Sequence, residues 1–259
     1  MVVQVEEGRL TTSRTRVLVA TAVPAERDAV AQALPRPGGD ARPQDVERDG
    51  TVRLPGATLR RHGVFDLLAA GVGPALAAAS VSAALTAAAL RDAPYGLVVS
   101  AGIAGGFAPA APVGSLVVAD EITAADLGAE TADGFLPVTE LGFGAVTHRP
   151  PESLVRETAA ATGARTGVVL TVSTVTGTAA RATALRELHP RALAEAMEGF
   201  GVAEAAAAHH VPVLEIRAVS NPVGPRDRDA WRIGAALAAL TTAFGKIAPL
   251  LESWNPYDR

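Results

Sequence analysis

The sequence predicts an α/β domain with a largely buried, mixed sheet and helices on both of its faces. Three observations carry this. Short apolar, β-branched runs alternate with Ala-rich stretches of helical character along most of the chain. Gly- and Pro-containing punctuation separates them. With 259 residues, 49% hydrophobic and only 19% charged, the chain is long and apolar enough for one large core.

Taken in order, the first fifteen residues, "MVVQVEEGRLTTSRT", carry early acids and no apolar signal core, so they are expected to form a flexible N-terminal tail ahead of a single domain over 16–259. "RVLVATAV" (16–23) is the first strand. Pro24 follows where proline fits best, in the first turn of a helix "PAERDAVAQAL". Residues 35–56, rich in Pro, Gly, Arg and Asp, are expected to form a loop or a distorted hairpin. "FDLLAAGVG", "GLVVSAGIAGG", "GSLVVADEI", "TGVVLTVST" and "VPVLEIRAVS" are five further strands. The segment "RDAWRIGAALAALTTAFGKIAPLLESW" has apolar residues at helical spacing and is expected to close the domain as a long helix across the sheet.

Composition also excludes. A net charge of -4 lacks the basic excess that binding a phosphate backbone needs, so nucleic acid is not an expected partner. The absence of cysteine rules out disulfides, thiolate metal ligands and cysteine nucleophiles. Residues 67–90 form an uncharged run long enough to span a bilayer. The run is mostly small residues, however, and "GVGP" at 71–74 divides it into a strand and a later helix. No membrane partner is therefore expected, and the location expected is cytoplasmic.

Several side chains could carry chemistry. The glycines of "AGVGP" and "SAGIAGGF" would let backbone N–H groups approach a ligand, or would simply make tight turns. Glu26 falls in the first turn of a helix, as an acid favoured by the helix dipole or as a general base. Glu198, in "ALAEAMEGFGVAEAAAA", is an acid in a small apolar stretch, which is costly unless something polar meets it. Glu195 and Glu204 could equally mark a solvated helical face. Arg217 is a charge inside an apolar strand, calling for an ion-pair partner or a ligand. Arg226, Asp227, Arg228 and Asp229 read as a solvated loop. The five histidines lack metal-site spacing, and His209 and His210 stand where a helix would end.

Taken together, "VPAERDAV", "SAGIAGGF", "AMEG" and "IRAVSN" resemble the purine nucleoside phosphorylase and nucleosidase superfamily, with a likeness running from Arg16 to Leu251. The resemblance implies a three-layer α/β/α sandwich with a distorted, mostly mixed central sheet. It also implies cleavage of the N-glycosidic bond of a purine nucleoside, with neither metal nor cofactor, by a homo-oligomer. Glu198 would then accept hydrogen bonds from the ribose hydroxyls, with Met197 packing beneath the sugar. Glu26 would position and deprotonate the attacking water, and Arg217 would lie near that water. The backbone of Ile103, Ala104 and Gly105 would line the ribose and base pocket.

Two further expectations follow from charge and hydrogen-bond pattern. A phosphorylase must hold a phosphate dianion beside the ribose, and a Glu26 carboxylate 4 Å away would oppose it by about 4 kcal/mol at an effective dielectric of 20. That favours water as the nucleophile, while Arg27 keeps a phosphorylase open. By the resemblance, Asn221 occupies a position that is aspartate in nucleosidases acting on adenine nucleosides. A 6-oxopurine protonated at N7 offers a donor at N7 and an acceptor at O6, and one primary amide complements both. Hypoxanthine or guanine is thus expected over adenine. An adenine-type nucleosidase and a non-catalytic nucleoside sensor are the remaining alternatives. The aromatic residue that often stacks on the base in relatives is missing from 172–180, which leaves Phe200, Phe143 or Phe107 to substitute.

Overall fold

A computed structural model describes residues 15–35, 50–54 and 57–255. The expected N-terminal tail lies outside them apart from Thr15, as do residues 36–49 of the expected loop or hairpin. The chain runs β1 (Val17–Thr21), α1 (Pro24–Ala31), β2 (Thr51–Leu54), β3 (Ala57–His62), β4 (Phe65–Ala69), α2 (Pro74–Ala89), β5 (Leu97–Gly106) and β6 (Leu116–Ala124). It continues through β7 (Gly128–Thr131), β8 (Gly134–Pro137), β9 (Thr147–His148), α3 (Glu152–Thr162), β10 (Arg165–Thr171) and α4 (Ala179–Leu188). The last elements are β11 (Ala192–Ala196), α5 (Gly199–Ala208), β12 (Val213–Pro222) and α6 (Ile233–Ser253).

The main sheet has the order β11-β10-β6-β12-β5-β1-β4-β3-β2, with β9 attached to β6. It is mixed: β1 lies parallel to β4 and β5, and β12 parallel to β5 but antiparallel to β6. The far end of β5 leaves β1 and pairs antiparallel with β11 through Gly105 and Gly106. That extra pairing closes β5, β12, β6, β10 and β11 into a ring, which is the distortion of the sheet. β5 can make the switch because its last residues are small: a Cβ on Gly106 would sit 2.1 Å from the Ala111 carbonyl.

Alternating strand residues feed two cores, one per face. Leu18, Ala20, Val98 and Val219 pack with α2 and α5, whereas Val17, Val19, Val99 and Ile216 pack with α6. This is a three-layer α/β/α sandwich. The apolar run 67–90 is split as its glycines require, for Gly71 and Gly73 take φ of 98° and 90° between β4 and α2. By length and composition α6 could cross a membrane, but its stripe of Ala236, Leu240, Phe244, Ile247 and Leu251 is buried in the second core.

All six strands expected from the sequence form. β11 does not match expectation: "ALAEA" has strong helix formers, yet all five of its residues are buried in a strand. Ladder bonds to β10 and β5 override local propensity there. Glu195 is accordingly a buried strand residue, not part of a solvated helical face. Its carboxylate is held by the Thr176 N–H at 2.7 Å and the Thr176 hydroxyl at 2.5 Å. Glu204 is exposed on α5 and pairs with His148 at 2.7 Å. His209 caps the end of α5, and residues 226–229 are solvent-exposed.

At the opposite end of the strands from these glycine turns, Asp66 is 1% exposed. It accepts from Arg16 at 2.5 Å, Arg61 at 3.0 Å and the Tyr95 hydroxyl at 2.6 Å. Burial first, then the Asp66 charge, drives the Tyr95 phenol far above its usual range. Because the two arginines are partly exposed, Asp66→Asn should cost about 2 kcal/mol, less than the roughly 3–5 of a fully buried pair. Thermal unfolding of the variant at neutral pH measures this.

Candidate active site

In open α/β sheets, ligands bind beyond the carboxyl ends of parallel strands. Here those ends bring together the turn after β1, the turn after β4, the second half of β5, the turn after β11 and the second half of β12. Glu26 stands in the first turn of α1 and is 4% exposed. Its Oε2 accepts from the Ala22 and Val23 N–H groups at 2.9 and 3.2 Å, and its Oε1 from the Ile103 N–H at 2.9 Å. The helix-capping role and a site role are therefore combined, since the same carboxylate ties α1 to β5. Three donors occupy three of about four acceptor positions, leaving one for a water or ligand.

Arg217 lies opposite Gly102 in the β12–β5 ladder and is 1% exposed. Gly102 makes room for both side chains: a Cβ there would sit 2.6 Å from Glu26 Oε1 and 2.7 Å from Arg217 Nη1. Arg217 Nε donates to Glu215 Oε1 at 2.8 Å, and Nη2 donates to the Ser100 hydroxyl at 3.1 Å. Nη1 faces Glu198 Oε2 at 3.6 Å. Desolvation pulls the Arg217 pKa down, but Glu215, Glu198 and Glu26 together outweigh it and hold the guanidinium charged.

Glu198 ends the segment after β11 as the N-cap of α5 and is 7% exposed. Its Oε1 accepts from the Gly73 N–H at 3.2 Å. The positive φ of Gly73 aims that N–H, so the glycine turn after β4 serves the carboxylate rather than only reversing the chain. Met197 beside it is half-buried, as are Ile103 and Gly105, while Ala104 is buried. Asn221 is half-buried at the end of β12 and registers with Gly105 after a bulge at Ser220. Its Oδ1 accepts from the Ser220 hydroxyl at 2.8 Å, and its Nδ2 lies 3.3 Å from where a Gly105 Cβ would be.

Along β5, Gly102 and Gly105 mark the two ends of this arrangement, three residues or about 10 Å apart. The Glu26, Glu198 and Arg217 cluster stands at one end and the Asn221 amide at the other. The structure thus joins Glu26, Arg217, Glu198, Ile103, Ala104, Gly105 and Asn221 along a single strand pair. Of the aromatics that could substitute for the missing one, Phe107 and Phe200 are buried at 2% and 7% exposure, and Phe143 is 69% exposed. Sequence reasoning missed Glu215. The signal was present, because Glu215 and Arg217 are two apart on a strand and so share a face.

A mixed sheet that closes on itself, with carboxylates gathered at the strand ends, defines a nucleoside phosphorylase and nucleosidase fold. A family model described as the phosphorylase superfamily matches residues 16–251, and the chain belongs to that superfamily. Within it, the chain is 74% identical to futalosine hydrolase of Streptomyces coelicolor, over 94% of this chain and 99% of the relative. It is 44% identical to futalosine hydrolase of Acidothermus cellulolyticus, over 89% of each. The native structure of futalosine hydrolase from Helicobacter pylori superposes with a TM-score of 0.72 at 17% identity, covering 91% of this chain and 98% of that one.

Proposed function

We propose that this chain hydrolyses the N-glycosidic bond of futalosine, giving hypoxanthine and dehypoxanthine futalosine in menaquinone biosynthesis. The observation that carries the reading is the 74% identity to the Streptomyces coelicolor futalosine hydrolase across nearly both chains. Cleavage places positive charge on the ribose and negative charge on the departing base. On our reading, Glu198 accepts from the ribose hydroxyls and offsets the cation, with Met197 beneath the sugar. Glu26 holds the water through its remaining acceptor position and takes a proton as the water oxygen bonds to the anomeric carbon. The base leaves with the bonding electron pair. Arg217 keeps the two carboxylates apart and compensated.

Asn221 contributes recognition rather than acid catalysis, since an amide has no proton to give. The proton that reaches N7 comes from solvent. Asn221→Asp should weaken the base preference: the carboxylate loses the donor to O6 and gains an acceptor for a 6-amino group. At about 1–3 kcal/mol per buried mismatch, the ratio of kcat/KM for futalosine over its 6-amino counterpart should fall by roughly 10- to 100-fold. Parallel assays of the two nucleosides measure it.

Water rather than phosphate is the nucleophile on this reading. Arg27, the residue that kept a phosphorylase open, is engaged by Asp28 at 2.8 Å, and Asp28 also by Arg60 at 2.9 Å. The deciding experiment is futalosine turnover followed by free-base release. Release in phosphate-free buffer, unchanged by added phosphate, is expected; absolute dependence on phosphate would defeat the hydrolase. The reading extends to a homo-oligomer acting on a small nucleoside, as the family resemblance implies, and to a cytoplasmic protein with no nucleic acid or membrane partner, as charge and composition suggest.

A further inference from the structure

The Arg217 guanidinium is oriented by a residue that the proposed reaction leaves unused. Glu215 is 0% exposed, and its Oε1 accepts from Arg217 Nε at 2.8 Å. Its other oxygen, Oε2, is buried and has no hydrogen-bond partner among the described residues. A carboxylate in that condition is costly unless its surroundings compensate. They do so from two directions: the guanidinium on one side, and on the other the first residue of α5. An added Cβ on Gly199 would stand 2.3 Å from both Glu215 oxygens. Gly199 therefore leaves open the space that the carboxylate fills at the positive end of the α5 dipole.

This position has a consequence for charge. Glu198, the N-cap of α5, is the residue immediately before Gly199, so Glu215 and Glu198 both meet the same guanidinium beside the start of that helix. Arg217 divides its charge between them, with Nε on Glu215 at 2.8 Å and Nη1 on Glu198 at only 3.6 Å. We infer that Glu215, seated in the space left by Gly199, is a positioning residue that draws Arg217 away from Glu198 and so keeps the Glu198 carboxylate available to the substrate sugar. The inference rests on the proposed role of Glu198 and deepens it. Burial also pushes the Glu215 carboxyl upward against the opposing pull of Arg217, in keeping with a tightly balanced pair.

The isosteric variant Glu215→Gln keeps the packing and removes the charge. Arg217 should then close on Glu198, and kcat for hypoxanthine release should fall by about 10- to 100-fold. KM should rise more modestly, because Arg217 then competes with the ribose hydroxyls for Glu198 in the ground state, whereas compensation of the cation is lost only in the transition state. Gly199→Ala should produce the same defect with the Glu215 charge retained. When Gly199→Ala is added to Glu215→Ala, it should cost no more than about 2-fold further, because the clash has gone. Crystal structures of the wild type and Glu215→Gln read the same effect without substrate, as an Nη1 to Oε2 contact shorter in the variant. Wild-type kcat and KM with an unmoved guanidinium in Glu215→Gln would overturn the inference, as would additive effects of the two alanine changes. If the wild type fails to release hypoxanthine, the functional reading falls, and the crystallographic comparison alone decides the role of Glu215.

Discussion

Glu26→Gln is expected to lower kcat for hypoxanthine release by about 10²- to 10⁴-fold, the range for removing a positioned general base. The amide has nearly the same shape but cannot accept the proton of the attacking water. It also meets the wrong surroundings. The three backbone donors from Ala22, Val23 and Ile103 all address oxygens of Glu26, so an NH2 group must face at least one N–H. That mismatch adds a stability cost of about 1–3 kcal/mol. Thermal unfolding and single-turnover rates measured on the same preparation separate the two effects. A variant that folds less stably yet retains full turnover would reduce Glu26 to a helix cap that joins α1 to β5.

Glu198→Gln is expected to cost about 10²- to 10³-fold in kcat, the scale for losing one preorganised electrostatic contact to the transition state. The loss should fall on kcat more than on KM, because the cation exists only in the transition state. Arg217 would retain Glu215 as its partner at 2.8 Å, so the fold should survive. Inosine-like substrates lacking the 2′-hydroxyl should lose much of their penalty in this variant, since the interaction they forfeit is already gone. Steady-state kinetics with 2′-hydroxy and 2′-deoxy substrates test this. Equal penalties in both enzymes would mean that Glu198 does not meet the ribose.

Much of the fold was legible because buried strands advertise themselves. "RVLVATAV" and "VPVLEIRAVS" are apolar on both faces since each face has its own helical layer, and the glycines of "GVGP" fix where β4 stops and α2 begins. β11 was not legible. Its alanines and glutamate favour a helix locally, and only pairing with β10 and β5 makes a strand of them. The candidate residues were recognisable as charges in apolar settings, but their partners were not. The ion-pair partner that Arg217 called for is Glu215, two residues away on its own strand. The glycines of "SAGIAGGF" could have been mere turns; in the fold Gly102 is the gap through which Glu26 and Arg217 approach.

The sequence by itself determined the α/β class, the six main strands and the residue types available for glycosidic cleavage, including an amide at Asn221. The class and strands follow from hydrophobic period, a local property, while the link of those side chains to glycosidic cleavage is what the family resemblance implies. Tertiary structure alone decided that β5 changes partners to close the sheet, that Gly73 addresses Glu198, and that three carboxylates share one guanidinium. Those are consequences of register between strands distant in the chain. Register is set by the packing of both sheet faces at once, so no local stretch of sequence contains it.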